Sequence, residues 1–273
     1  MTQNLSHTGT LRRTTLRDLQ KRVDQGQRLA MLTAYDTITA TLIDRAGVDL
    51  ILVGDSLGNV VLGFDTTIPV RMDDMIRHTA AVVRGTSQAL VVFDLPFGTT
   101  TDPDTALRHS IRAFQETGCQ AVKLEGDERV APIVQRLTQN GIPVMAHIGL
   151  TPQSVHQLGG YYRHGKSSPE IERLKNAARA LEASGAFAIV LECVVDGVAA
   201  EISQELRIPT IGIGSGKACD GQVLVINDLI GLSVQPPPAF AKPRAQVAEI
   251  IERCAREFIA ETREAPLQVE RSE

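Results

Sequence analysis

The chain has 273 residues, 43% of them hydrophobic and 22% charged. That is enough apolar material for one large core, and the length suits a single α/β barrel of about 250 residues. The net charge of −4 comes without a stripe of Lys and Arg, which argues against a nucleic-acid partner, because phosphate binding needs concentrated positive charge.

Residues 1–10 are polar, lack an apolar signal core and are expected to be disordered. Helical spacing of Leu16, Leu19 and Val23 predicts a short helix over 15–25, with Thr14 or Thr15 as N-cap. A first strand over 29–34 ends at Tyr35-Asp36, and a helix over 37–46 is closed by Gly47. Leu50 to Val53 form an unbroken apolar run, which reads as a strand buried on both faces. It opens at Gly54-Asp55-Ser56. Residues 59–70 read as a loop and 73–86 as a helix. The third strand, 90–93, ends on Asp94. Pro103, at a favoured first-turn position, starts a helix that runs to Gly118. The fourth strand, 121–125, carries Lys123 and ends on Glu125. A helix over 129–140 follows, with Gly141 as C-cap, and then a fifth strand, 143–148, carrying His147. The longest irregular stretch, 151–168, holds Gly159-Gly160 and two of the three tyrosines; loops of that length in compact domains usually have a function. A helix over 168–184 leads to a sixth strand, 187–191, which runs into Glu192-Cys193. Asp196 is expected to cap a helix reaching about residue 206. The seventh strand covers 209–213, Gly214-Ser215-Gly216 forms a turn, and the eighth strand covers 222–225. A Pro-rich link at 235–238 precedes a helix over 243–262, and 265–273 read as a frayed tail.

Eight strands, mostly separated by helices, predict a single (β/α)8 TIM barrel over 11–264. The extra N-terminal helix is expected to plug its bottom. An open doubly wound sheet is the alternative, but its Gly-rich fingerprint after the first strand is absent. Cys119, Cys193, Cys219 and Cys254 form no CxxC pair, so buried, reduced thiols are expected rather than zinc or disulfides. No apolar run is long enough to span a bilayer. The expected location is cytoplasmic, with no membrane partner.

In a closed barrel all the C-terminal strand ends share one rim, which is where ligands bind. Asp55, Asp94, Glu125 and Glu192 lie at four such ends. Residues i and i+2 of a strand face the same way, so Lys123 and Glu125 both point into the mouth. Crowded carboxylates imply a cation, and an all-oxygen set selects a hard ion, Mg²⁺ first. Magnesium keeps open positions, and an α-keto acid fits them because its carboxylate and keto oxygens bind as a pair. Taken singly, an acid at a strand end is usually solvated or caps a helix. Lys123 could simply neutralise Glu125, and His147 could be a satisfied rim histidine. The run Gly212 to Gly216 resembles a phosphate-binding turn, though close backbone packing explains it equally well.

Four blocks carry a resemblance: Met31-Leu32-Thr33-Ala34-Tyr35-Asp36, Leu52-Val53-Gly54-Asp55-Ser56-Leu57-Gly58, His147-Ile148-Gly149-Leu150-Thr151-Pro152-Gln153-Ser154, and Ile211-Gly212-Ile213-Gly214 with Asp220-Gly221-Gln222-Val223-Leu224-Val225. The chain resembles the ketopantoate hydroxymethyltransferase family over about residues 15 to 245. The resemblance implies a barrel of the phosphoenolpyruvate/pyruvate type and a step of pantothenate synthesis. A hydroxymethyl group would pass from 5,10-methylenetetrahydrofolate, the co-substrate, to 3-methyl-2-oxobutanoate, giving 2-dehydropantoate through a Mg-stabilised enolate. It further implies Asp55, Asp94 and Glu125 as Mg²⁺ ligands, and Asp55, Ser56, Asp94 and Lys123 as keto-acid contacts. Glu192 is implied as proton acceptor. His147 is expected to touch substrate or product, the loop over 151–168 to close over the site, and the chain to form a homo-oligomer, with a decamer as the family's implied assembly. Asn59, Arg77, Val195 and Ser215, and the segment from Pro236 to Pro243, depart from the family pattern. None is a metal or base position. Two other readings share the barrel: a Mg-dependent lyase or mutase acting on a pyruvate-like keto acid, and a non-catalytic keto-acid sensor.

Overall fold

The structure is a computed structural model that describes residues 12–264. The expectations for 1–10 and 265–273 fall outside the described residues. Strands β1 (Leu29–Thr33), β2 (Leu50–Val53), β3 (Leu90–Asp94), β4 (Ala121–Glu125), β5 (Val144–Gly149), β6 (Ala188–Glu192), β7 (Thr210–Ile213) and β8 (Gly221–Leu224) follow one another around a closed barrel in chain order. Every pairing is parallel, and β1 closes on β8 with Met31 opposite Val223. The (β/α)8 expectation therefore holds, and the open sheet is excluded.

All eight strands feed one apolar interior. Met31, Leu50, Leu52, Leu90, Val92, Ala121, Met145, Val190, Ile211 and Val223 pack there with Leu19 of α1 (Leu16–Asp24). Leu19 is 1% exposed and shares this cluster with the first residues of three strands, Leu29, Leu50 and Leu90, so α1 covers the N-terminal end of the barrel. Two local features set α1 in place. Thr15 and Asp18 form a reciprocal capping box. Arg22 pairs with Asp49, whose other oxygen accepts the Ala30 N–H at 2.8 Å.

Outside the strands run α2 (Thr37–Arg45), α3 (Leu57–Val60), α4 (Met72–Gly85), α5 (Pro103–Thr117), α6 (Ala131–Gln139), α7 (Val155–Leu158), α8 (Ser168–Ala183) and α9 (Asp196–Glu205). The single-turn helices α3 and α7 lie where sequence pattern indicates loops. Neither is long enough to show a helical period. Asp196 does not cap α9: Val195 holds the cap position, and the Asp196 carboxylate takes Arg163 instead. Cys119 and Cys219 are buried and Cys193 is partly so, but Cys254 is exposed, so the expectation of buried thiols fails there.

The barrel unit ends at Val225, and a second compact unit begins at Ile226. Its helices are α10 (Ile226–Ile230) and α11 (Val247–Glu264). α11 starts four residues later than Pro243 suggests. The Arg244 N–H bonds Leu229 O at 2.7 Å and the Ala248 N–H bonds Gly231 O at 3.0 Å, which holds the link against the end of α10. Among the described residues no helix is long and apolar enough to cross a membrane.

Candidate active site

Strand parity places the functional side chains. Leu90 and Val92 point into the barrel, so Asp94 does too. Ala121 aligns Lys123 and Glu125, Met145 aligns His147, and Ala188 and Val190 align Glu192. These five side chains therefore cap the apolar interior at its C-terminal end. Register brings them into pairs: Asp94 lies opposite Lys123, and Glu125 opposite His147.

The Lys123 Nζ donates to both oxygens of Asp94, at 2.7 and 2.8 Å, and stands 3.8 Å from Glu125 Oε1. Its main partner is thus Asp94, not Glu125. The Asp55 N–H donates to Asp94 Oδ2 at 3.2 Å, which joins the end of β2 to the end of β3. His147 bridges the two glutamates, with Nδ1 3.5 Å from Glu125 Oε1 and Nε2 3.3 Å from Glu192 Oε2. Both are ion contacts and neither forms a hydrogen bond, so Glu125 Oε1 and both ring nitrogens of His147 are buried without a hydrogen-bond partner. The Glu192 side chain is 19% exposed and the His147 side chain 1%, so Glu192 is the acid open to the mouth.

The electrostatics follow from burial and crowding. Burial, then the charges of Asp94 and Glu125, hold Asp55 well above the usual carboxylate range. Burial raises Asp94 as well, opposed most strongly by Lys123. Burial would depress Lys123, but Asp94, Glu125 and Asp55 outweigh it and keep the ammonium above its ordinary value. Burial would raise Glu125, but His147 and Lys123 hold it below normal. Burial and Lys123 pull His147 down, yet Glu125 and Glu192 prevail and bring it up to about 9. At neutral pH the ring is therefore cationic. Burial and Glu192 push the Cys193 thiol up to about 11, which leaves it protonated and a poor nucleophile.

The structure thus gathers Asp55, Asp94, Lys123, Glu125, His147 and Glu192 at one mouth. Ser56 stands beside them at the start of α3, its Oγ 2.8 Å from the Tyr35 hydroxyl. Gln153 belongs to the same site and was not assigned a role from sequence. Its side-chain amide donates to Asp55 Oδ2 at 2.8 Å and to Leu95 O at 3.0 Å, and its N–H donates to Glu125 Oε2 at 3.1 Å. The signal for it was the block His147 to Ser154 itself. Tyr161 feels the field of the same acids: burial, then Asp55, Glu192 and Glu125, raise its phenol. The stretch 151–168 is therefore partly ordered onto the site, by a 3-10 turn at Pro152–Ser154 and by α7. Among the described residues no three His, Cys, Asp or Glu side chains stand as a ready-made cation cage. The glycine run near β7 serves packing: a Cβ on Gly212 would lie 2.9 Å from Gln222 Nε2 and 3.0 Å from Cys219 Sγ.

Comparison with known proteins agrees with the barrel fold. The solved structure of phosphoenolpyruvate phosphomutase from Streptomyces platensis subsp. rosaceus aligns with a TM-score of 0.65 at 15% identity, covering 92% of this chain and 91% of that one. 2,3-Dimethylmalate lyase, a member of the PEP mutase/isocitrate lyase superfamily, aligns at 0.58 and 15%, covering 95% and 91%. At such identities the likeness is one of fold. Sequence relatives are much nearer. The 3-methyl-2-oxobutanoate hydroxymethyltransferase of Chloroflexus aurantiacus is 52% identical over 251 residues, covering 92% of this chain and 89% of that protein. That of Gluconacetobacter diazotrophicus is 51% identical over 258 residues, covering 94% and 93%. The family profile described as ketopantoate hydroxymethyltransferase matches residues 13–267. The chain belongs to the ketopantoate hydroxymethyltransferase family.

Proposed function

We propose that this enzyme transfers a hydroxymethyl group from 5,10-methylenetetrahydrofolate to 3-methyl-2-oxobutanoate, giving 2-dehydropantoate, with Mg²⁺ as its metal. The observation that carries the reading is the buried set of Asp55, Asp94 and Glu125 around Lys123, with Glu192 open to the mouth across His147. The acids fit a divalent cation on two counts. Glu125 Oε1 has no hydrogen-bond partner, and burial together with repulsion from Asp94 and Glu125 raises Asp55, a cost that a cation would relieve. Asp55, Asp94 and Glu125 would hold the ion, directly or through water, in competition with Lys123 and Gln153 for the oxygens those two now occupy. Bound there, Mg²⁺ would supply Lewis acidity toward the keto oxygen of the substrate.

The remaining work falls to this chain's own groups. Glu192 takes the proton from C3 of the keto acid. The Lys123 ammonium offsets negative charge growing beside it, in a site where burial strengthens that effect. His147, between Glu125 and Glu192, helps hold Glu125 below its ordinary range and lies at the mouth where substrate or product can touch it. Ser56 binds the carboxylate end of the keto acid. The segment over 151–168 already reaches the acids through Gln153 and closes over them when both substrates are bound.

An assay of 3-methyl-2-oxobutanoate with methylenetetrahydrofolate and Mg²⁺ tests the reading. 2-Dehydropantoate should form, and only when the folate is present. Cleavage or rearrangement of the keto acid without folate would replace this function with a lyase or mutase, and binding without turnover would leave a sensor. Deuterium exchange at C3 isolates the first step. It should fall by about 10²-fold or more in Glu192→Gln while metal binding persists.

A further inference from the structure

The residue after Glu192 has an unusual backbone. Cys193, with φ of 51°, is the only non-glycine residue in the left-handed region among the described residues. A side chain there crowds its own carbonyl, so the conformation persists only where the surroundings enforce it. Here they do. The Cys193 N–H donates to Ile213 O at 2.8 Å, and its carbonyl accepts the His164 N–H at 2.8 Å. The Val195 N–H donates to His164 O at 2.9 Å, and the Glu192 carbonyl accepts the Leu150 N–H at 2.8 Å.

One side chain completes the set. The Ser215 hydroxyl, fully buried after β7, accepts the Val194 N–H at 2.9 Å and donates to Leu191 O at 2.7 Å. A single oxygen thus holds the chain on both sides of Glu192-Cys193. On the opposite side β5 presses close: a Cβ on Gly149 would lie 2.3 Å from Glu192 O. Among the described residues, the Glu192 side chain makes one ion contact, with His147 at 3.3 Å. Its direction is set by the backbone from which it springs.

We propose that Cys193 and the Ser215 hydroxyl act as a positioning clamp that fixes the direction of the Glu192 carboxylate; this rests on Glu192 being the base. A base that removes a proton from carbon has little tolerance for misplacement, and an error of about 1 Å can cost about 10²-fold in rate. A glycine at 193 would reach the same φ without strain but would also sample others. A cysteine locked there narrows the choice. Neither residue touches substrate, and both act through Glu192.

The test is C3 deuterium exchange by the full chain with 3-methyl-2-oxobutanoate and Mg²⁺, comparing Cys193→Gly, Ser215→Ala and Glu192→Gln. In Cys193→Gly the exchange rate constant should fall about tenfold or more, the keto-acid KM should stay within about twofold, and the melting temperature should hold or rise because strain is removed. Ser215→Ala should lower the exchange rate with the same unchanged KM. Wild-type exchange in both variants, with exchange abolished in Glu192→Gln, would overturn the clamp alone. Full exchange in Glu192→Gln would overturn the base assignment and the clamp with it. A fall in rate and melting temperature together in Cys193→Gly would make residue 193 merely structural and also overturn the proposal.

Discussion

Gln153 is the residue whose removal should be most informative about the acids. Its amide donates a side-chain hydrogen bond to Asp55, and its backbone N–H serves Glu125. Gln153→Ala keeps the backbone bond and loses the side-chain one. Hydrogen bonds to charged groups are worth about 1.5–3 kcal/mol, so calorimetry should show keto-acid or Mg²⁺ affinity changed by about tenfold to a hundredfold, with Glu125 still in place. An unaltered titration would make Gln153 a loop anchor only. Asp94, Glu125 and Glu192 were legible in the sequence because each ends a buried strand, and strand parity then aims it; Asp55 lies two residues beyond β2, where the end of the apolar run marks it but parity does not aim it. Gln153 and Tyr161 were not. They lie beyond β5 on a segment whose path is set by tertiary contacts, and no local period announces a side chain that reaches across the mouth to β2.

At the scale of elements, two contacts hold helices to the barrel. Leu19 fills the closed end, and Leu19→Ala leaves a cavity that the strands cannot easily collapse around. A loss of about 3 kcal/mol is expected in denaturant unfolding, with activity per folded molecule retained. Asp44 of α2 does comparable work on the other side of the chain. Its carboxylate accepts N–H groups from Ser87 at 2.9 Å, Gln88 at 3.1 Å and Ala89 at 2.7 Å, which fixes the turn into β3. Burial would raise it, but these bonds prevail and hold its folded pKa below the ordinary aspartate range. Because the folded value is the lower one, the stabilisation is complete above the unfolded pKa and is lost as pH falls below about 4. Asp44→Asn should therefore lower stability near neutrality and flatten the acid limb of a stability–pH curve. An acid limb as steep as in the unaltered protein would exclude Asp44 as its source. The major helices and strands were legible from period and capping. Single turns such as α3 and α10 were not, because four or five residues carry no period.

For the molecule as a whole, a bound cation should act as a stabilising ligand. Asp55 is costly as an anion in the structure shown, and binding to the folded chain alone adds stability by mass action, about 2.7 kcal/mol at a hundredfold excess over Kd. A protein of this size gains about 2–4 °C per kcal/mol, so adding Mg²⁺ should raise the melting temperature by about 5–10 °C and a chelator should reverse it. No shift in the millimolar range would remove the acids as the metal site.

The closed end formed by α1 has a kinetic consequence. With Leu19 and the apolar interior filling the N-terminal side, Asp94 and Lys123 are approached from the C-terminal mouth. On the proposed reaction, a small acid seated at the bottom and a bulky donor above it cannot pass each other. The keto acid must arrive first, and its product must leave last. Initial rates should therefore show a compulsory order, in which the folate binds only to the enzyme already loaded with keto acid.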